Sequence, residues 1–147
     1  MTIPLGSLAD LIKQYPWGHW LTLEFPPPWA LVDTGSAFQR LQAFVDSFTR
    51  ETQGPVAWFA VAERHADGRI HLHVFTRGTA GLSLERLKDR WVQRNGGAHV
   101  ALYIPHAGAA EYSVKDIHEG LAEWQFSEGF TRAMQKLDRI AARCSDG

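Results

Sequence analysis

In "HWLTLEF" (His19–Phe25) apolar and polar positions alternate with a period of two, which predicts a strand. "PPP" (Pro26–Pro28) ends it, because proline has no N–H to extend a ladder. "SAFQRLQAFVDSFTRE" then places Phe38, Leu41, Phe44, Val45 and Phe48 at helical spacing, with Thr34 or Ser36 as the cap. "PVAWFAVAE" and "RIHLHVFT" predict two strands joined through "RHADG". "SLERLKDRWVQR" predicts a second helix, opened by Ser83 and closed by "NGG". "AHVALYI" is a fourth strand, "AGAAEYSVKDIHEG" a short third helix ending at Gly120, and "FTRAMQKLDRIAARC" a final amphipathic helix at about 127–143. The order strand, helix, hairpin, helix, strand, helix predicts an α+β fold: an antiparallel sheet with helices packed on one face.

Composition narrows the picture without changing it. The 147 residues, 45% of them hydrophobic, suit one domain with one core, and no apolar run approaches the length of a membrane span. The first residues lack the pattern of a secretory signal, and the single cysteine, Cys144, fits a reducing cytoplasm. Any metal must therefore be held by His, Asp or Glu. The net charge of −1 exerts no global pull on nucleic acid, yet from Glu63 to Arg94 seven basic residues face four acidic ones.

Chemistry enters with the hairpin. His71 and His73 flank Leu72, so both imidazoles leave one face of a strand while Ile70, Leu72 and Val74 line the other. If Ala66-Asp67-Gly68 is a three-residue loop with Gly68 left-handed, Glu63 pairs with His71 and stands diagonal to His73. A two-residue turn would put Glu63 opposite Leu72 and separate the three. One carboxylate and two imidazoles suit Mn²⁺ or Mg²⁺ as a Lewis acid, and Zn²⁺ would also bind. His65 shares the face and is a further ligand candidate. A polar strip on a half-exposed sheet would hold the same residues without any metal. His19, His99, His106 and His118 are expected at the surface or at strand ends.

In "EYSVKDI" Tyr112 and Lys115 are three residues apart and share a helix face, which places a phenol beside a cation. Taken with the hairpin, these residues resemble the HUH endonucleases, particularly the Rep-type initiators of rolling-circle replication. "WLTLEFP" (Trp20–Pro26) looks like the first motif of that family and "HLH" (His71–His73) like its His-hydrophobic-His motif. Glu63 stands where an acidic residue of the preceding strand completes the metal site, and "YSVK" (Tyr112–Lys115) looks like the YxxK motif. The resemblance spans about Trp20 to Ile117.

It implies a ferredoxin/RRM-like sheet of about five strands and a divalent metal, Mn²⁺ or Mg²⁺, on Glu63, His71 and His73. Tyr112 would be the nucleophile that nicks and rejoins single-stranded DNA at an origin or hairpin through a 5′-phosphotyrosine, with Lys115 stabilising developing charge. Arg64, Arg69 and Arg77 are candidates to hold the DNA backbone. With no GxxxxGK[ST] present, unwinding would need a separate helicase. A single-tyrosine transposase of the REP-associated type would use the same chemistry on a hairpin. A catalytically silent nucleic-acid-binding module would instead offer Trp58, Phe59 and Phe75 for stacking.

Overall fold

The computed structural model describes residues 5–25, 33–105, 108–115, 117 and 122–145. Five strands, β1 (His19–Glu24), β2 (Ala57–Arg64), β3 (Ile70–Arg77), β4 (Ala98–Leu102) and β5 (Ala122–Phe126), form one antiparallel sheet in the order β4-β1-β3-β2-β5. The helices are α1 (Leu5–Lys13), α2 (Thr34–Asp46), α3 (Leu84–Arg94), α4 (Ala109–Val114) and α5 (Phe130–Ser145). The expected α+β class and antiparallel sheet are present. Among the described residues, no helix is long and apolar enough to cross a membrane. The expected Pro26–Pro28 strand end and the Gly120 helix end lie outside the described residues, as do His106 and His118.

One face of the sheet is the apolar one that the strand alternation predicts. Leu21 and Leu23 of β1, Ala60 and Ala62 of β2, and Ile70, Leu72 and Val74 of β3 pack with Phe38, Leu41, Phe44, Leu87 and Trp91 of α2 and α3. Trp91 sits edge-on against Phe25 and Phe44 while its Nε1 donates to Glu24 O at 3.0 Å, so α3 is both packed and hydrogen-bonded to the end of β1. Capping departs in one detail from expectation. Asp33, not Thr34 or Ser36, caps α2, its Oδ1 accepting from Ser36 N at 2.7 Å; Ser83 caps α3 as expected, accepting from Arg86 N at 3.0 Å.

The opposite face also receives helices, beyond the single covered face that the sequence predicts. Leu8, Ala9 and Ile12 of α1 and Ala109, Ala110 and Val114 of α4 pack on Phe59, Val61 and Phe75, and α5 brings Met134 and Leu137 against Ala57. Trp58, Phe59 and Phe75 are all fully buried, so none offers a ring face for a base to stack on. His19 stands at a strand end, as expected, opening β1, but it is interior rather than exposed, with Nδ1 2.6 Å from Thr79 Oγ1.

At the end of β3, Gly78 has φ +99°, and a Cβ there would stand 2.4 Å from Pro55 O. Gly78→Ala combines a strained backbone with an overlap against main chain that cannot move aside. We expect it to cost about 2–4 kcal/mol, read as a lower urea midpoint with an unchanged m-value.

Candidate active site

The hairpin has the odd-numbered loop that the site needs. His65 N donates to Arg69 O at 2.8 Å, Gly68 N donates to His65 O at 2.9 Å, and Gly68 has φ +89°. Asp67 Oδ1 accepts from Arg69 N at 3.0 Å and completes the turn. Glu63 therefore pairs with His71 and Val61 with His73. Since β1 lies on the other side of β3, with Glu24 opposite His71 and Thr22 opposite His73, two cross-strand rows share one face. The first is Glu24–His71–Glu63–Ala122 and the second Thr22–His73–Val61–Trp124.

His73 is 3% exposed, and its Nε2 lies 3.1 Å from Glu63 Oε2, within hydrogen-bond distance. Its Nδ1 is buried with no hydrogen-bond partner, an orphan on the floor of the site. His65 Nε2, also without a hydrogen-bond partner, stands 3.9 Å from Glu63 Oε1, and the His65 and His71 rings are 4.0 Å apart. His71 Nε2 is 3.6 Å from Glu24 Oε1. Among the described residues, no three His, Cys, Asp or Glu side chains converge as a finished metal-ligand set. The donor chemistry nevertheless fits a hard divalent cation. Neighbouring ligands of an octahedral Mg²⁺ or Mn²⁺ stand about 3 Å apart, which is the spacing between Nε2 of His73 and Oε2 of Glu63. For His71 to join them as a ligand, its ring would have to turn from Glu24 toward Glu63.

Burial pushes the His73 imidazole below its ordinary pKa against the opposing pull of Glu63. Burial followed by the neighbouring His65 does the same to His71, and burial alone lowers His19. All three rings thus bind protons more weakly in the folded chain than in the unfolded one. Stability is fully present above the ordinary imidazole value of about 6.5 and is lost as the pH falls through the lowered folded values. The urea midpoint should therefore drop between about pH 7.5 and about pH 5.5; a flat profile would show that these rings are not held neutral.

Tyr112 comes from α4, which Gly108 starts in a left-handed conformation without a side-chain cap. Ala109, Ala110 and Val114 bury one side of this helix, and Tyr112 on the other is 48% exposed. Its ring meets His73 edge-on at 5.4 Å and Trp20 at 6.3 Å, while Lys115 Nζ lies 3.9 Å above it. Trp20 Nε1 donates to Ser113 Oγ at 3.3 Å, and Lys13 of α1 bridges to Glu111, so β1 and α1 together fix where α4 sits.

Glu63, His71, His73, Tyr112 and Lys115 are thus brought to one neighbourhood, and the three arginines are not. Arg64 donates to Gly68 O at 2.8 Å and Arg69 pairs with Asp67 at 2.7 Å, both at the hairpin end. Arg77 is six residues from His71 along β3, about 20 Å of strand, and is tied to Asp138 of α5 at 2.7 Å. Glu24 is the residue that strand pattern alone did not single out. Its carboxylate has room because position 97 is glycine, where a Cβ would stand 2.7 Å from Glu24 Oε2. Trp124, 39% exposed, closes the His73 row at the sheet edge. No protein-family model matches the chain, nor does any curated protein or any solved structure.

Proposed function

We propose that the chain is a metal-dependent, site-specific single-stranded DNA endonuclease that nicks and rejoins strands through Tyr112, in the manner of rolling-circle replication initiators. One observation carries the reading: Glu63, His71 and His73 share a sheet face, and the half-exposed ring of Tyr112 stands 5.4 Å from that of His73. A buried imidazole against a partly buried carboxylate, beside an accessible phenol, is an expensive arrangement for a purely structural surface.

Glu63 and His73, joined by His71, would hold Mn²⁺ or Mg²⁺, which when bound polarises a non-bridging oxygen of the scissile phosphate. The rest falls to the chain's own groups. Tyr112 Oη loses its proton and bonds to phosphorus while the bond from phosphorus to the 3′-oxygen breaks; that oxygen takes up a proton and leaves as a free 3′-hydroxyl. The product is a 5′-phosphotyrosine, a phosphodiester still, so a 3′-hydroxyl can reverse the step and seal a strand. Lys115, over the Tyr112 ring, offsets the negative charge that develops on the phenolic oxygen and the phosphate.

The test is to incubate the protein with a labelled random pool of single-stranded DNA and Mn²⁺. A detergent-resistant adduct whose captured strands share a sequence at their 5′ ends is the expected result. No adduct with any member of the pool, or an adduct equally abundant in excess chelator, would overturn the proposal.

A further inference from the structure

The basic excess between Glu63 and Arg94 is not used up by the site on the sheet, and its helical part lies on the other face. Arg86, Arg90 and Arg94 recur every four residues on α3, a stripe about 12 Å long beside the buried Leu87 and Trp91. The stripe faces α2 across a cleft of about 220 Å³ lined by Arg40, Ser47, Arg90, Arg94 and Asn95. Arg90 is held in place from two sides. Its guanidinium lies 4.4 Å over the Phe48 ring and donates to Ser47 O and Oγ, both at 3.1 Å. Arg40 Nη1 donates to Asn95 Oδ1 at 3.3 Å, and Arg94 is exposed at the mouth.

One carboxylate meets this stripe among the described residues: Glu51, shared by Arg86 and Arg90. Asp46, the nearest acid on α2, is turned to Gln42 at 2.8 Å, and Glu85 and Asp89 are exposed one residue off the stripe. The three guanidinia of α3 against one carboxylate among the described residues leave a local surplus in a chain whose net charge is −1. We infer that this α2–α3 seam binds the phosphodiester backbone of a second nucleic-acid segment, separate from the strand presented to Tyr112. The inference rests on reading the chain as one that acts on DNA. Guanidinium groups match phosphate oxygens two at a time, and groups already fixed by Phe48, Ser47 and Asn95 lose little freedom on binding. The sheet lies between the seam and Tyr112, so the segment at the seam is a flank of the cleaved site. A single-stranded tail and a duplex arm present the same backbone chemistry.

Three labelled DNAs separate these sources: a short single strand of about 10 nucleotides carrying the captured site, the same site with a long single-stranded flank, and the same site with a duplex flank. Arg94→Glu, at an exposed position, should weaken binding of one flanked DNA about ten-fold at about 0.1 M salt. It should also lower the slope of log affinity against log salt by about 1, while Arg94→Lys stays near wild type. Binding of the short strand and its adduct with Tyr112 should not change. The flank that loses affinity identifies the source. Unchanged affinity and slope with every DNA would overturn the inference, and so would an equal loss on the short strand. If the pool yields no adduct, the three DNAs are built on an arbitrary sequence; weakening of a flanked one by Arg94→Glu then keeps the seam while the nuclease reading fails.

Discussion

Tyr112→Phe is expected to abolish the covalent adduct with single-stranded DNA and to slow nicking by about 10³-fold or more, with the fold unchanged. The substitution removes one oxygen from a ring whose packing partners do not need it. The contacts with His73, Trp20 and Lys115 are made by the ring itself, so phenylalanine keeps all three. Binding of the same oligonucleotide should stay within a few-fold of wild type, because the phenol is asked to act in the bond-forming step. Mass spectrometry of the trapped wild-type adduct should place the nucleotide on Tyr112. An adduct on another residue, or one that survives in Tyr112→Phe, would remove Tyr112 as nucleophile.

The second large effect belongs to the acid–imidazole pair. His73→Ala and Glu63→Gln should each remove metal-supported nicking by about 10²–10³-fold and weaken Mn²⁺ binding, followed by the loss of the free-ion electron-spin signal on titration. The two should differ in stability. Glu63→Gln keeps the shape and a hydrogen-bonding partner for His73 Nε2. His73→Ala leaves a cavity in a nearly closed site and costs about 1–3 kcal/mol. A His73→Ala protein that is folded, binds Mn²⁺ as wild type does and still nicks would eliminate the proposed centre. Comparing Glu24→Gln with Glu63→Gln would show whether the β1 carboxylate, now 3.6 Å from His71, takes part in holding the ion.

The parts of this site that could be read from the sequence are those whose geometry is local. The register that sets Glu63 beside His71 depends on three loop residues, the last a glycine that takes positive φ, all within ten positions of the chain. Tyr112 and Lys115 share a face through helical spacing alone. Glu24 was hidden because its place next to His71 depends on β1 and β3 being neighbours, a pairing between segments about fifty residues apart that no local pattern encodes. β5 was missed for a different reason. "AEWQF" is short and lies at the sheet edge with little of it buried, so its alternation is faint. α1 has an apolar stripe in Leu8, Ala9 and Ile12, but over a nine-residue helix it is too short to stand out. Arg77 looked available in sequence, and its pairing with Asp138 comes from the docking of a distant helix.

The carrier of the nucleophile is only six residues long, begins without a side-chain cap, and is secured through Trp20 and α1 rather than by any ladder of the sheet. So short a helix cannot persist by its own propensity; it exists while its neighbours hold it. The proposed nucleophile and the proposed ion-binding face are therefore joined by packing, Ala109, Ala110 and Val114 lying on Phe59, Val61 and Phe75. Loosening that packing would part Tyr112 from His73 while leaving every strand pairing of the sheet in place.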